Sequence, residues 1–336
     1  MPPQVANLHH ELTIIGAILM SITATAPGKL MLMGEHAVVY GFPCLVTAVD
    51  LRYRVTLTPT NDDTVTITTA QLDAPRTIPL SATGAEPPRE TAFVEAVIAR
   101  FRDHVGLANG FTLTTDGPEI SYGLGSSSAV TVATAAVLNR FVGAGLDERG
   151  LFDTCYGAVI DVQGRGSGYD VASAIYGGTI YYRKEPFTVA RLASAPSLVI
   201  GYSGRKVGTV GLVKGVADLR TRFPALMDPV FDTIGATVDA GHKALAEGNT
   251  ATFGALTNLH SGLTDALGVN TGTLSRLVYA ARDAGALGAK LSGAGGGDCM
   301  FALVTDATRA PVAAAITDAG GRVVRLAVDA LGVAVG

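Results

Sequence analysis

A run of small residues, Gly123-Leu124-Gly125-Ser126-Ser127-Ser128, stands immediately before residues 129–141, where Val130, Ala133, Val137 and Phe141 share one helical face. Glycines let a ligand approach the backbone closely, and the first N–H groups of a helix point outward with about half a positive charge from the aligned peptide dipoles. That combination suits an anion, phosphate first of all. A serine-capped helix behind a tight turn would use the same residues with no ligand, so the loop taken alone leaves both readings open. Two common nucleotide fingerprints are excluded. Ser128 stands where G-x-G-x-x-G needs its last glycine, and G-x-x-x-x-G-K-[ST] occurs nowhere in the chain.

Three further stretches carry groups that can hold or move charge. Pro27-Gly28-Lys29 places a cation in an otherwise uncharged segment, where it could hold phosphate oxygens or lower the pKa of a substrate hydroxyl. Glu35 and His36, in Gly34-Glu35-His36-Ala37-Val38-Val39-Tyr40-Gly41, add a polar pair. Ser292-Gly293-Ala294-Gly295-Gly296-Gly297-Asp298-Cys299 has too little side chain to pack, and its freedom is costly to order. Either the close approach of a ligand or a sharp bend in the chain would justify it. Asp170 ends the small-residue stretch Gln163-Gly164-Arg165-Gly166-Ser167-Gly168-Tyr169-Asp170, directly before residues 171–182, which alternate like a strand. A carboxylate there could accept a hydroxyl proton or orient the hydroxyl for attack, although an ordinary turn aspartate would look the same.

The elements that must position these loops follow from periodicity. Val49, Leu51, Tyr53, Val55 and Leu57 alternate with Asp50, Arg52, Arg54 and Thr56, the pattern of a half-buried strand. Val65 and Ile67 repeat it after the turn residues Asn61-Asp62-Asp63, so a hairpin or meander is expected within the first hundred residues. Helix is expected over residues 90–104, strand over 111–115, and a helix-plus-loop unit over 151–170. A further strand follows at 198–202. From 208 to about 286 the pattern is mainly helical, with long segments at 212–222, 227–247 and 273–284. A strand at 299–304, a helix at 310–319 and a strand at 322–326 close the chain. Two intimately joined α+β lobes dividing near residues 185–200 are the simplest arrangement.

Composition bounds the function. The chain has 336 residues, 48% apolar and 16% charged, with a formal net charge of −4, which excludes a disordered segment and offers nucleic acid no basic footprint. Three distant cysteines, Cys44, Cys155 and Cys299, form no CxxC pair, so neither a disulfide framework nor a zinc site is expected and a reducing cytoplasmic location fits. Apolar runs fall short of the ~20 residues that span a bilayer, so no membrane partner is expected. Residues 1–20 read as an N-terminal extension with Met20 as the expected functional start, because His9, His10 and Glu11 precede its apolar run where a signal peptide would carry Lys or Arg.

Taken in order, Pro27-Gly28-Lys29 with Gly34-Glu35-His36, then residues 123–128, then residues 293–298 resemble the three signature motifs of the GHMP kinases. That family comprises galacto-, homoserine, mevalonate and phosphomevalonate kinases with the related decarboxylase. The resemblance covers essentially all of residues 21–336. It implies an α+β, two-lobed fold: a ribosomal-protein-S5-like, ATP-binding N-terminal domain over 21–195 and a ferredoxin-like α+β C-terminal domain over 196–336. It implies ATP held by Gly123, Leu124, Gly125, Ser126, Ser127 and Ser128, and Mg²⁺ with Ser127 as a ligand. Asp170 would be the catalytic acidic residue and Lys29 its electrostatic partner. Glu35, His36, Gly293, Ala294 and Gly295 would lie on the substrate side, with Thr209 of Gly208-Thr209-Val210 a looser match.

Within the family, the string from Ala26 to Gly41, Asn258-Leu259-His260 with Leu263 and Ala266-Leu267-Gly268-Val269, and Gly288-Ala289-Lys290-Leu291 are similar to the mevalonate kinase group. Gly295-Gly296-Gly297-Asp298-Cys299 and the stretch from Gln163 to Ala172 are similar to the phosphomevalonate kinases; mevalonate kinases usually carry glycine where Asp298 stands. The metal-binding glutamate of mevalonate kinases aligns near Val159, with Asp161 two residues on. What the resemblance implies is phosphorylation of the 5-hydroxyl of mevalonate in isoprenoid biosynthesis. 5-Phosphomevalonate is the alternative substrate, and Arg165, Arg205 and Lys206 are the extra cations its dianion would need. A non-catalytic sensor of the same fold is disfavoured by the joint presence of Lys29 and Asp170. The partner is thus a small molecule, with a homodimer left open.

Overall fold

Residue 50 lies in a strand of 16 residues, β2 (Cys44–Pro59), whose two halves are buried differently. From Cys44 to Val49 every residue is buried, and from Asp50 onward buried and exposed positions alternate. The change marks where solvent begins to cover one face of the sheet. β1 (Ile22–Met33) runs antiparallel along all of β2, with register shifts at Pro27/Gly28 and between Met31 and Met33. Proline has no N–H to give the ladder, so the first shift falls where pairing is weakest.

A computed structural model describes residues 20–118, 122–193 and 195–336; apart from Met20, the N-terminal extension lies outside the described residues. β3 (Thr64–Thr69) and β4 (Arg76–Pro79) form a hairpin, as expected, but β3 does not pair with β2. β5 (Phe111–Asp116) lies between them, antiparallel to β2 and parallel to β3. Helices α1 (Ala92–Val105), α2 (Ser126–Val142), α3 (Glu148–Gln163) and α4 (Tyr169–Tyr176) cover the sheet, with α2 against β1 and β2. β6 (Thr179–Arg183) pairs with the fully buried half of β2 and with β7 (Thr188–Arg191).

One expectation is corrected here. Residues 171–182 are not a single strand: α4 occupies Tyr169–Tyr176, and β6 starts only after Gly177 and Gly178, both at positive φ. Val171 to Ile175 are buried without a break, which erases the helical period that an exposed face would have shown.

The second sheet is antiparallel, in the order β11 (Arg322–Val324), β8 (Leu198–Tyr202), β10 (Cys299–Leu303), β9 (Gly288–Leu291). β10 is buried on both faces. Cys299, Phe301 and Leu303 join the core of the first sheet, while Met300 and Ala302 join a second core with Phe231, Ile234 and Leu277. The second core is built with α5 (Thr209–Arg222), α6 (Pro224–Ala246), α7 (Thr250–Ala266), α8 (Gly272–Asp283) and α9 (Asp306–Asp318). No helix among the described residues is long and apolar enough to cross a membrane.

After β11 the chain returns to the first sheet. Asp50 donates its N–H to the Ala327 carbonyl (2.9 Å), Gly178 to that of Ala330 (2.7 Å), and β12 (Ala334–Val335) pairs with β1. Arg52 fastens this strap, donating to Leu331 O (2.8 Å) and Gly332 O (2.9 Å) and to Thr25 Oγ1 (3.1 Å) and Thr25 O (3.1 Å). Arg52→Met keeps the stem and removes these donors. Thermal unfolding of that variant should show a loss of about 1.5–3 kcal/mol, the range for hydrogen bonds involving a charged group. An unchanged melt would assign the strap's attachment to its backbone pairing alone.

Candidate active site

Lys29 sits just past the β1 irregularity, and the loop 123–125 lies directly on it. Its N–H donates to the Leu124 carbonyl (2.7 Å), and its Nζ donates to the Gly123 carbonyl (3.2 Å). Two glycines make this approach possible. A Cβ on Gly28 would stand 2.7 Å from the Leu124 oxygen, and one on Gly125 would stand 2.9 Å from Lys29 Cγ; Gly125 also has φ 86°. Gly125 is the N-cap of α2 and offers no side chain, so the first N–H groups of that helix are left for a ligand.

Asp170 lies in the first turn of α4, where a carboxylate is favoured by the helix dipole. Its Oδ2 accepts from Ser128 Oγ (2.5 Å) and its Oδ1 from the Val171 N–H (3.0 Å). Two helix N-termini, α2 and α4, are thereby tied together beside Lys29. The Lys29 ammonium stands 5.6 Å from the centroid of the Tyr169 ring. Burial pulls the pKa of Lys29 below the ordinary lysine value, while Asp170, Asp298, Cys299 and Glu35 act against that pull.

The glycine loop of residues 292–298 reaches the same place from the second sheet. Ser292 Oγ donates to the Met31 carbonyl (2.8 Å), and the Gly293 Cα faces Lys29 Nζ, 4.0 Å from where a Cβ would be. His36, at φ 61°, places its Nε2 3.0 Å from the Ala294 carbonyl. Burial lowers the His36 pKa, so near neutrality the ring is uncharged and donates a single N–H to that oxygen. Gly295 also belongs to this loop, where a Cβ would meet Val269 of the segment after α7.

Glu35 occupies a different environment from its neighbour. It is 1% exposed, and its carboxylate pairs with the Lys290 ammonium through Oε1 and with His260 Nε2 through Oε2 (2.9 Å). Burial would raise its pKa, but Lys290 and His260 outweigh this and hold it at about 2. Burial lowers the pKa of His260 as well. The same Nε2 also lies 3.2 Å from the Gly34 N–H, and Nδ1 is a buried atom with no hydrogen-bond partner. Both Glu35 oxygens are thus used inside the protein. Lys290 and His260 carry no assigned role in the motif reading, yet a lysine within the apolar strand β9 was a visible signal that a buried anion must exist.

Thr209 opens α5 and is solvent-exposed, while Leu212 and Val207 lie over Gly296 of the glycine loop. Asp161 is taken by Arg100 in a bidentate pair (2.7 and 3.0 Å), and Val159 is buried, so α3 presents no carboxylate for a metal at those positions. Among the described residues no three His, Cys, Asp or Glu side chains are grouped to hold a metal. Ser127 is exposed at the start of α2. Arg165, Arg205 and Lys206 are exposed on loops. Burial first, then Asp298, pushes the Cys299 thiol up to about 12, so it stays protonated and unreactive near neutrality.

Two family models match the chain: the GHMP kinases N terminal domain over residues 92–178 and the GHMP kinases C terminal region over residues 242–322. A mevalonate kinase of Thermococcus sibiricus is 35% identical over 317 residues, covering 90% of this chain and 94% of that protein. The crystal structure of the Methanococcus jannaschii mevalonate kinase superposes with a TM-score of 0.76 at 25% identity, covering 92% of this chain and 98% of that one. A Streptococcus pneumoniae phosphomevalonate kinase, in complex with phosphomevalonate and AMPPNP, superposes at 0.78 and 20% identity over 91% of this chain and 99% of its own, a likeness of fold alone. These matches place the mixed α+β fold in one class, the ATP-dependent kinases of small molecules. More narrowly, the chain belongs to the GHMP kinase family.

Glu35→Ala tests the internal pairing, because it leaves Lys290 buried without its anion. Urea unfolding at neutral pH should show a loss of about 3–5 kcal/mol. Glu35 contributes stability above its ordinary value of 4.5, and that contribution disappears as pH falls through about 2. The gap between wild type and variant should therefore close over that window. A gap independent of pH would mean that packing, not charge, explains the loss.

Proposed function

We propose that this chain transfers the γ-phosphoryl group of ATP to the 5-hydroxyl of mevalonate. One observation carries the reading: the phosphate-binding helix start, the buried Lys29 ammonium and the Asp170 carboxylate converge where the glycine loop also arrives. The acceptor is suggested by relatives named mevalonate kinase, about a third identical over most of both chains. The N-terminal part, residues 21–195, would hold ATP, and residues 196–336 would complete the acceptor side.

In this mechanism the 5-oxygen forms a bond to Pγ as the bond from Pγ to the ADP oxygen breaks. Asp170 accepts the hydroxyl proton. Each of its oxygens already holds one hydrogen bond, and an ionised carboxylate has about four lone-pair sites, so capacity remains for the substrate. Lys29 stabilises the charge that spreads over the phosphoryl oxygens, and α2 holds the triphosphate on residues 123–128. Positioning accounts for most of the acceleration, because phosphoryl transfer asks for little covalent chemistry from the protein. Mg²⁺ is generally held by one or two carboxylates together with phosphate oxygens and water; here the Ser127 hydroxyl, exposed at the start of α2, would supply one protein ligand. Bound there, it would neutralise phosphate charge. His36 and the Gly293–Ala294–Gly295 backbone would border the acceptor, with Glu35 holding that border in place from behind and Thr209 opening the helix above it.

The three exposed loop cations keep 5-phosphomevalonate as a second acceptor, since a dianion needs cationic partners that Lys29 cannot also supply. Coupled ADP release with ATP, Mg²⁺ and each acceptor at matched concentration separates the two. Turnover is expected with mevalonate, and turnover only with the phosphate ester would transfer the assignment. Asp170→Asn should lower kcat by at least ~10²-fold with ADP affinity nearly unchanged. Unaltered turnover in that variant would remove Asp170 from the mechanism.

A further inference from the structure

Asp298 is a carboxylate placed where the backbone favours glycine, at φ 55°. Its main chain is pinned from both sides by the loop after β8: its N–H donates to the Arg205 carbonyl (2.7 Å), and its carbonyl accepts from the Ser203 N–H (2.8 Å). The side chain is pressed against Gly123. A Cβ on that glycine would overlap the carboxylate, lying 2.5 Å from Cγ and 2.8 Å from the Asp298 Cβ. The carbonyl of the same Gly123 takes the hydrogen bond from Lys29 Nζ. Asp298 Oδ1 is buried and has no hydrogen-bond partner.

The groups facing Lys29 can be taken in turn. Glu35 is neutralised by Lys290 and His260. Cys299 is a protonated thiol. Tyr169 offers only its ring face. Asp170 already holds Ser128 and, in the proposed mechanism, must receive a proton. Two carboxylates are left to favour the charged amine, Asp170 first and then Asp298, which lies beside Gly123 with the Val207 N–H and the exposed Lys206 as further neighbours; of the two, Asp298 is the one with no proton to receive.

We propose that Asp298 is a positioning residue of the phosphate site, a fixed counter-charge that, with Asp170, keeps the buried Lys29 ammonium charged and aimed at Gly123 until a nucleotide phosphate arrives. The inference rests on nucleotide binding at residues 123–128 and not on which acceptor is phosphorylated. Burial alone pushes Lys29 towards its neutral form, and a neutral amine would be a poor partner for phosphate. A carboxylate fixed by two backbone hydrogen bonds opposes that without ordering a long side chain.

The test is the pH dependence of ADP affinity by titration calorimetry, read from about pH 8 upward, below the ordinary lysine value of about 10.4. Wild type should lose affinity along a basic limb as Lys29 deprotonates. Lys29→Arg, which does not titrate in this range, should abolish the limb and so identify it. Asp298→Asn and Asp298→Gly should each move the limb down by about 0.5–1 pH unit, and Asp298→Glu should restore part of the shift. Glycine suits φ 55°, so the second variant keeps the fold while removing the charge. Limbs of Asn and Gly variants that coincide with wild type would overturn the proposal. Absence of ADP binding by wild type would sink the nucleotide site and this inference together, whereas ADP binding without mevalonate turnover would sink only the acceptor assignment.

Discussion

The Glu35 carboxylate, shut away from water between Lys290 of β9 and His260 of α7, is the constraint on which the placement of the site depends. Removing such ions from water costs several kcal/mol each, and the loss is offset only when the partners stand in close register. Glu35 follows β1 of the first sheet, and Lys290 belongs to the second. Their pairing therefore sets the end of β1 against β9. Lys29 lies on β1 and the glycine loop leaves from the end of β9, so the same register decides how near Gly293 comes to the Lys29 ammonium.

β10 gives that register a rigid backing. Its alternate residues enter two different cores, Phe301 one and Met300 the other, so it can neither slip nor tilt without exposing a hydrophobic face. The returning C-terminal strap adds a covalently distant tie, because it ends on the first sheet after passing through the second. The active-site loops hang between elements that are held from both sides. Loops of glycine can then be ordered enough to meet a phosphate without side chains of their own to pack.

The motifs were legible because each has a chemistry that spacing exposes: a glycine-serine run before a helical period, a lysine among apolar residues, and a second glycine run. The helices over 90–104 and 212–222 were legible because one face of each meets solvent, and β8, buried throughout, was legible as a short apolar run. The reading failed over α4, where the unbroken burial of Val171 to Ile175 removes the contrast that periodicity needs. It was also silent about β12, whose two residues carry no pattern, and about the parallel pairing of β3 with β5, which depends on a partner distant in sequence. Among the site residues, Glu35 and His36 look alike in sequence as a polar pair. Only the fold separates them, turning one carboxylate inward onto Lys290 and leaving the imidazole on the Ala294 carbonyl.

The helical setting of Asp170 alters the chemistry beyond a change of label. A strand would have presented its carboxylate to one face with no local donors, whereas the first turn of α4 gives it the Val171 N–H and a favourable dipole. The Val171 N–H holds one oxygen, and Ser128 fixes the orientation of the other from the start of α2. The carboxylate is therefore tied to the helix that would carry the nucleotide phosphates, so donor and proton acceptor move together. Lys29, reached from β1, is buried beneath both helices and holds the loop that enters α2 through the Gly123 and Leu124 carbonyls. Burial works against its charge, and the carboxylates gathered around it, Asp170 first, act in favour of that charge.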